Sequence, residues 1–296
     1  MNKVMTMKEA VSKYVKSGDT LFIAGTQHGT PNAAIHEIAR QRIDHLAIVT
    51  VLAQPTILIG EGLVDKMITG YAAQDPTASY PLGKAKAMNK FPVFEEYTHF
   101  GISLALFAGY MGIPYIPTRN ILGSDIPKYN KNIKITDCPF TGGKVAAIKA
   151  LIPDVGIIHV QRADAEGNAQ KWGSVGVDQE GINASRKVIV TTEKIVDSDV
   201  IRRDPNRTII PGFRVSAVVE QPFGAFPVRL AGCYNTGRNV MRVDEEGYES
   251  YLKDFVYGVS DWNEYMEKMK ANRGADFFDK LRIKNPIMSE PIITGA

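Results

Sequence analysis

The sequence is poor in cysteine and in net charge. Its 296 residues contain two cysteines, Cys138 and Cys233, no Cys-x-x-Cys pair, and a formal net charge of only +3. Two cysteines are too few for a disulfide framework, so we expect a reducing, cytoplasmic compartment. Lysine and arginine are scattered along the chain rather than clustered. That distribution argues against nucleic acid as a partner.

Several catalytic and cofactor motifs are also absent. The chain has no GxGxxG, HExxH or GxSxG, which are the fingerprints of dinucleotide folds, zinc peptidases and α/β-hydrolases. Thr141-Gly142-Gly143-Lys144 is similar to the end of a phosphate loop, but Cys138 replaces its first glycine and Val145 its Ser or Thr. The histidines, at positions 28, 36, 45, 99 and 159, lack metal-ligand spacing. We therefore expect no metal site and no permanently bound cofactor.

One stretch, Tyr97–Thr118, contains no Asp, Glu, Lys or Arg. A membrane-spanning helix needs about 20 apolar residues, so length alone would permit a span. The polar side chains of His99 and Ser103 and the prolines at positions 114 and 117 argue against one. We predict a buried helix to about Tyr110, then a strand at Tyr115–Thr118, and no membrane association. The N-terminal residues show no apolar core of signal-peptide length.

Short apolar runs alternate with segments of helical spacing along the chain. A capping box at Thr6 and Glu9 predicts a first helix. Residues 72–89 are expected to form a loop, and the tail from about residue 244 to 296 to be helical. Strands are predicted at Leu21–Ala24, Leu46–Leu52, Val64–Tyr71, Ile133–Asp137, Val155–Gln161, Lys187–Glu193 and Val215–Glu220, and further helices at Asn32–Arg42, Ile57–Leu63 and Lys144–Leu151. This alternation predicts an α/β fold, with one domain over residues 1–296 and a mainly parallel open sheet with helices on both faces.

The stretch Gly18–Pro31 is the most informative part of the sequence. An apolar strand leads into Gly25 and Gly29, and Pro31 marks the start of a helix. A strand, a glycine loop and a helix N-terminus together expose backbone N–H groups, which suit a carboxylate, a phosphate or a developing oxyanion. An ordinary turn between strand and helix is the alternative. His28, inside the loop, is the one histidine that we consider a site candidate.

These residues resemble the first signature of the family I CoA-transferases. There, a Gly-Asp or Gly-Asn opening leads through an apolar strand into a glycine loop that ends in Gly-x-Pro. The paired glycine plus Phe of that family reads Ala24-Gly25-Thr26 here, which points to the branch that resembles the A-type subunit of glutaconate CoA-transferase. Further similar segments are residues 114–125, 163–168 and 190–196. Together the resemblance spans about residues 4–234.

The resemblance implies an α-type subunit that works with a β-type subunit, in an α2β2 assembly. In that family a glutamate of the β half attacks the acyl-CoA thioester, and CoA is a substrate. The catalytic residue of the present chain is therefore left unknown. Glu61, between Gly60 and Gly62, is a look-alike of the β-type motif. Since it falls in a helical segment, we do not assign it as the nucleophile.

Substrate-binding candidates follow from the same resemblance, together with the rule that ligands bind beyond the carboxyl ends of strands. Ser79 is the candidate for the distal carboxylate of the substrate, and the Asp164–Asn168 segment and Glu193 are expected to be structural. The full candidate set is Gly25, Thr26, Gln27, His28, Gly29, Ser79, Arg119 and Ser124.

Two other functions stay open. Ring-opening hydrolases and a decarboxylase also resemble this branch, and such an enzyme would use Glu95 or Glu96 of this chain. Both glutamates are expected at the N-terminus of the helix that follows, where they would complement its dipole. A non-enzymatic, ligand-binding regulator on a similar scaffold is the third possibility, but the chain shows no DNA-binding helix pair.

Overall fold

The computed structural model of the chain describes residues 2–26, 28–51, 55–71, 76–236 and 245–284. The strands in chain order are β1 (Thr20–Ile23), β2 (Leu46–Thr50), β3 (Val64–Thr69), β4 (Val93–Glu96), β5 (Tyr115–Thr118), β6 (Ile133–Asp137), β7 (Lys144–Lys149), β8 (Val155–Ala163), β9 (Ala169–Gln170), β10 (Lys187–Ile195), β11 (Thr208–Ile210) and β12 (Ala217–Glu220). The helices are α1 (Met7–Tyr14), α2 (Asn32–Arg40), α3 (Thr56–Gly60), α4 (Pro76–Ala87), α5 (His99–Met111), α6 (Ile126–Tyr129), α7 (Asp178–Ala184), α8 (Ser198–Arg202), α9 (Glu245–Tyr251), α10 (Trp262–Arg273) and α11 (Phe277–Leu281).

Nine strands of the described residues form one sheet. Its order is β11-β9-β8-β1-β2-β3-β4, with β10 also pairing with β8 and β12 with β10. The pairs are parallel except those that β9 makes with β8 and β11. Every residue of β8 is buried. Burial on both faces is typical of a parallel sheet covered by helices.

Alternate residues of β1 point into two separate cores. Leu21 and Ile23 pack in the core that contains α1, α2 and the C-terminal helices. Phe22 packs in the other core, with α5 and α7. Helices therefore cover both faces of the mainly parallel sheet, and the predicted fold class is confirmed.

The C-terminal helices pack on α2 around a buried imidazole. His36 makes edge-on contacts with Tyr251, Trp262 and Tyr265, at ring-centroid distances of 5.7, 5.1 and 5.4 Å. Burial, aided by the nearby Arg40, lowers the pKa of His36 to about 3, so the imidazole is neutral at pH 7. An uncharged ring in an aromatic cage holds the helical tail against the main core.

Several local predictions are wrong. Residues 144–149 form strand β7, not a helix, because they pair antiparallel with β5 and β6 in a separate three-stranded sheet. Residues 76–87 form helix α4 and not a loop, although the helix contains two prolines. Glu95 and Glu96 lie in β4, and α5 begins only after its cap at Thr98. The predicted helix before residue 110 is buried on one face only.

Within the described ranges, no helix is both long and apolar enough to cross a membrane. The same part of the chain contains no group of three or more His, Cys, Asp or Glu residues that could hold a metal ion. Both cysteines are free thiols.

Gly181 of α7 tests the packing between this helix and β1. A Cβ atom added at Gly181 would lie 2.1 Å from Cζ of Phe22. Gly181→Ala should therefore lower the free energy of unfolding by about 1–3 kcal/mol through overpacking. Gly83→Ala in α4 is the matched control, because its Cβ would meet nothing within 4 Å. Urea denaturation should show a loss only for Gly181→Ala, and equal stabilities would contradict this packing argument.

Candidate active site

The glycine loop, residues 24–31, connects the carboxyl end of β1 to α2. Gly25 and Gly29 have φ angles of +127° and +69°, which favour glycine. Gly25 donates its N–H to Oδ1 of Asp178 at 2.9 Å, and Gly29 donates its N–H to the carbonyl of Arg229 at 2.9 Å. The expectation that these N–H groups point outward is therefore wrong for both glycines. Of the other loop candidates, Gln27 lies outside the described residues.

A second loop, which we call the cover loop, runs from Lys171, directly after β9, to Asp178, the first residue of α7. Gly173 and Gly176 also have positive φ angles, of +90° and +52°. A Cβ atom at Gly173 would lie 2.7 Å from Nε2 of His28, and one at Gly176 would lie 2.3 Å from Oγ1 of Thr26. Only glycine allows the cover loop to approach the glycine loop this closely.

A buried ion pair closes the cover loop at its two ends. The Lys171 ammonium contacts Oδ2 of Asp178, and the two side chains are only 0% and 1% exposed. The Oδ1 atom of Asp178 also accepts a long hydrogen bond from the Thr26 hydroxyl, at 3.4 Å. Asp178 thus joins both loops and balances the charge of Lys171. Sequence reasoning missed this pair, and its one local signal was the two glycines before an aspartate at a helix start.

His28 is buried between the two loops. The residue is 1% exposed, and neither ring nitrogen has a hydrogen-bond partner of good geometry within the described residues. A contact between His28 and the backbone of Ser174 falls short of an ordinary hydrogen-bond geometry. Burial, reinforced by the positive charge of Lys171 and opposed by Asp178 and by the Ser174 contact, lowers the pKa of His28 to about 4. The imidazole is therefore neutral at pH 7, with one donor and one acceptor nitrogen.

A glutamine of β8, which pairs with β1, binds the backbone at the start of the cover loop. Gln161 of β8 donates to the carbonyls of Ala231 and Trp172, at 2.8 and 3.1 Å, and accepts the N–H of Trp172 at 3.0 Å. The Trp172 ring lies beside the guanidinium groups of Arg162 and Arg207, at 4.9 and 5.2 Å. These contacts fix the start of the cover loop to the main sheet.

A further buried pair lies on β8 and β10. His159 contacts Oε1 of Glu193 through Nε2 at 2.9 Å, and the Thr191 hydroxyl through Nδ1 at 2.8 Å. The expectation that Glu193 pairs structurally is confirmed by this contact. No local pattern indicates that His159 is its partner, because the two residues meet only through the parallel pairing of β8 and β10.

The remaining substrate-binding candidates lie on elements other than the glycine loop. Arg119 and Ser124 follow β5 of the small sheet and are exposed. They therefore follow a strand of the small sheet and not one of the main sheet. Ser79 belongs to α4, and its side chain lies outside the described residues. The Asp164–Asn168 segment forms the expected turn, in which Asp164 accepts the N–H groups of Glu166 and Asn168.

Glu95 of β4 is held by three residues, one in β3, one just after β4 and one just before β6. Its carboxylate accepts from Asn132 Nδ2 at 2.7 Å and from the Tyr97 hydroxyl at 3.0 Å, and Lys66 lies 3.4 Å away. Glu96 is exposed. Because neighbouring residues of a strand point to opposite faces, the two glutamates cannot share one pocket.

Glu61 is held by three donors at the opposite end of the sheet. Arg42 and Lys84 lie 2.8 Å from its carboxylate, and the Tyr257 hydroxyl donates to it at 2.6 Å. Glu61 precedes β3, so it lies at the amino end of the parallel strands, away from the glycine loop. This placement agrees with our decision not to assign it as a nucleophile.

Comparison with known proteins confirms the resemblance. A sequence model of the coenzyme A transferase family matches residues 4–221. The A-type subunit of the 3-oxoadipate CoA-transferase of Pseudomonas knackmussii is 32% identical, over 92% of this chain and 100% of that protein. The A-type subunit of the glutaconate CoA-transferase of Acidaminococcus fermentans is 32% identical, over 92% of this chain and 93% of that protein.

A solved CoA-transferase structure also matches the fold of this chain. The crystal structure of glutaconate coenzyme A-transferase from Acidaminococcus fermentans matches with a TM-score of 0.85 and 32% identity, over 95% of this chain and 96% of that chain. A more distant relative, the cholesterol ring-cleaving hydrolase IpdA subunit of Rhodococcus jostii, is 26% identical over 88% of this chain and 94% of that protein. The chain therefore belongs to the coenzyme A transferase family.

Proposed function

We propose that this chain is the A-type subunit of a heteromeric CoA-transferase, which moves CoA between an acyl-CoA and a carboxylate. The observation that carries the proposal is the match, at 32% identity and over almost the whole chain, to the A-type subunits of two CoA-transferases. Both names contain a dicarboxylate, 3-oxoadipate or glutaconate. A dicarboxylate is therefore the proposed substrate class, and CoA is a substrate rather than a resident cofactor.

The proposed reaction is an exchange of activated carboxyl groups. A glutamate carboxylate attacks the thioester carbonyl carbon, the C–S bond breaks and CoA thiolate leaves, so an acyl-glutamyl anhydride forms. The thiolate then attacks the glutamyl carbonyl and releases the donor acid, and the acceptor carboxylate repeats the sequence in reverse. The two intermediates are the acyl-glutamyl anhydride and the thioester between CoA and the glutamate. Both would be hydrolysed by water, so the site has to exclude water.

The described carboxylates near the glycine loop support a nucleophile from the partner. Asp178 is bound by Lys171 and by the N–H of Gly25. Glu193 is bound by His159 and is only 3% exposed. A carboxylate that is ion-paired or buried in this way is poorly placed to attack a thioester. The glutamate is therefore assigned to a β-type subunit.

The role proposed for this chain is to shape the acyl pocket. Thr26 and His28, together with the backbone of Gly25 and Gly29, are proposed to line it at the carboxyl end of β1. Gln27 is proposed as a substrate-binding residue on the sequence alone. Recognition of the distal carboxylate is proposed for Ser79, and Arg119 and Ser124 are proposed as further substrate-binding residues.

The partner is proposed to be a β-type subunit, in an α2β2 assembly without nucleic acid or membrane. Exposed apolar side chains on α5 support a large contact surface: Phe100 and Met111 are each 55% exposed and Phe107 is 37% exposed. Large apolar patches of this kind mark protein interfaces. Two free thiols are consistent with a reducing, cytoplasmic location.

A hydrolase is the second candidate, favoured by the ring-cleaving relative at 26% identity. Such an enzyme needs a carboxylate of this chain that activates water. Glu96 is the better choice because it is exposed, whereas Glu95 is held by Tyr97, Asn132 and Lys66. The two candidates differ in whether free CoA appears without an acceptor acid.

The first prediction concerns assembly. The purified chain alone should show no CoA transfer, because its described carboxylates near the loop are paired, and activity should return with the β-type subunit. Light scattering with size exclusion should report the heteromer, and an assay with glutaconyl-CoA or 3-oxoadipyl-CoA and acetate should report transfer. A fully active monomer would sink the proposal.

Gly25 tests the glycine loop. In Gly25→Ala the new Cβ would lie 2.6 Å from Oγ1 of Thr30 and 2.8 Å from its Cα, at a φ of +127°. Displacing the loop by about 1 Å should lower kcat by about 10²-fold in the heteromer. Gly18→Ala is the control, since it has a φ of +86° but no atom within 4 Å. Similar kcat values for the two variants would mean that the glycine loop is only a structural turn between β1 and α2.

Glu96→Gln separates the transferase from the hydrolase. If Glu96 lies outside the chemistry, the heteromer should keep its acceptor-dependent transfer to within severalfold. If Glu96 is a general base, the same change should remove about 10²–10⁴-fold in rate. Glu95→Gln is the control, because its side chain is tied to Asn132 and Tyr97. CoA released without acetate in the wild type, and lost in Glu96→Gln, would favour the hydrolase.

A further inference from the structure

The imidazole of His28 is an exception to the usual pairing of buried polar groups. Most buried side-chain nitrogens in proteins have a hydrogen-bond partner. Leaving one unpaired costs about 1–3 kcal/mol. Both ring nitrogens of His28 are buried and lack a partner of good geometry in the described parts of the chain. Such an exception at the edge of a candidate site calls for an explanation, and a catalytic role would supply one.

The layer that covers His28 is thin. Gly173 of the cover loop lies against Nε2, and Gly173 and the next residue, Ser174, are themselves exposed. Since glycine has no side chain, Gly173 brings only backbone atoms to this side of the ring. A shift of the cover loop away from His28 would therefore expose this nitrogen.

Three donors of the glycine loop and its neighbour Lys171 are already engaged in the described residues. The N–H groups of Gly25 and Gly29 are used by Asp178 and Arg229. The Thr26 hydroxyl contacts Asp178 as well. The charge of Lys171 is balanced by Asp178. The His28 imidazole has no such partner of ordinary geometry among the described residues, and its contact with the backbone of Ser174 would be released if the cover loop moved. An acyl oxygen that enters beside the ring could then accept its N–H.

The state of the ring suits this task. Burial and the neighbouring Lys171 ammonium hold the pKa of His28 at about 4, so the ring carries one N–H and no charge at pH 7. A neutral donor strengthens its hydrogen bond as charge develops on an oxygen and gives up no proton. In a site with little water, such a donor is worth more than it is in solution.

Resting on the proposed CoA transfer, we propose that His28 is a catalytic residue of this chain. Its imidazole N–H donates a hydrogen bond to the carbonyl oxygen of the acyl thioester, as that oxygen becomes negative during attack by the carboxylate. The cover loop at Gly173 moves aside to admit the acyl group. No proton is transferred and no bond to His28 forms.

Two substitutions at His28 test the role in the reconstituted heteromer. His28→Leu removes the donor, so kcat with glutaconyl-CoA or 3-oxoadipyl-CoA should fall by about 10²–10³-fold. The KM for acyl-CoA should stay within about threefold if the bond strengthens only in the transition state. Thermal stability should be unchanged or higher, because an unpaired polar group is replaced by an apolar one. His28→Gln, which keeps an N–H, should recover at least part of the lost kcat.

His36→Gln is the matched control. His36 is as buried as His28 and also neutral, but it lies in the aromatic cage that holds the C-terminal helices. This variant should lower the melting temperature and leave kcat near that of the wild type. A His28→Leu heteromer with wild-type kcat, or one whose loss follows a drop in melting temperature as in His36→Gln, would overturn the assignment. A wild-type heteromer that transfers no CoA in this assay would overturn the proposed function itself.

Discussion

The buried contact between the Lys171 ammonium and the Asp178 carboxylate is the interaction on which the candidate site depends. Both side chains are almost fully withdrawn from water. Removing one partner of such a pair typically costs about 3–5 kcal/mol, because the other charge is left uncompensated. Since Asp178 also accepts the N–H of Gly25, the same pair fixes the backbone of the glycine loop. A local change in charge would therefore alter the shape of the whole site.

Core packing decides where this pair lies. Asp178 is the first residue of α7, and Gly181, three residues later, allows that helix to lie directly on Phe22 of β1. Gly25 follows β1 by two residues, so the helix and the strand bring Asp178 and Gly25 together across 153 positions of sequence. The other side of the loop rests on β8, because a Cβ at Gly29 would lie 3.2 Å from the carbonyl of His159. The two cores and the central strand thus position the loop.

Local signals explain what could be predicted from the sequence. Strand β1, helix α2 and the capping box at Thr6 follow from hydrophobic runs and end signals within a few residues, and the structure has all three. Segment 144–149 has helical residues such as Ala and Lys, but pairing with two strands overrides that preference. The partners Lys171 and Asp178, and His159 with Glu193, could not be predicted, because such contacts form only when distant segments meet. Helix α4 could not be predicted either, because Pro76 and Pro81 indicate a loop when only the local sequence is considered.

The carboxylates of this chain explain a division of labour between subunits. Asp178, Glu95 and Glu61 are each held by a cation or by several donors, and Glu193 is buried against His159. These contacts stabilise the carboxylate anion and lower its reactivity towards a thioester. A nucleophilic carboxylate needs the opposite environment, in which its lone pairs are free to approach a carbonyl carbon. A chain whose carboxylates near the glycine loop are paired or buried can hold that loop and a neutral imidazole at the pocket. An unpaired carboxylate buried in this chain would destabilise that loop. The nucleophilic carboxylate is therefore better placed on a separate subunit, which reaches the pocket when the two subunits assemble.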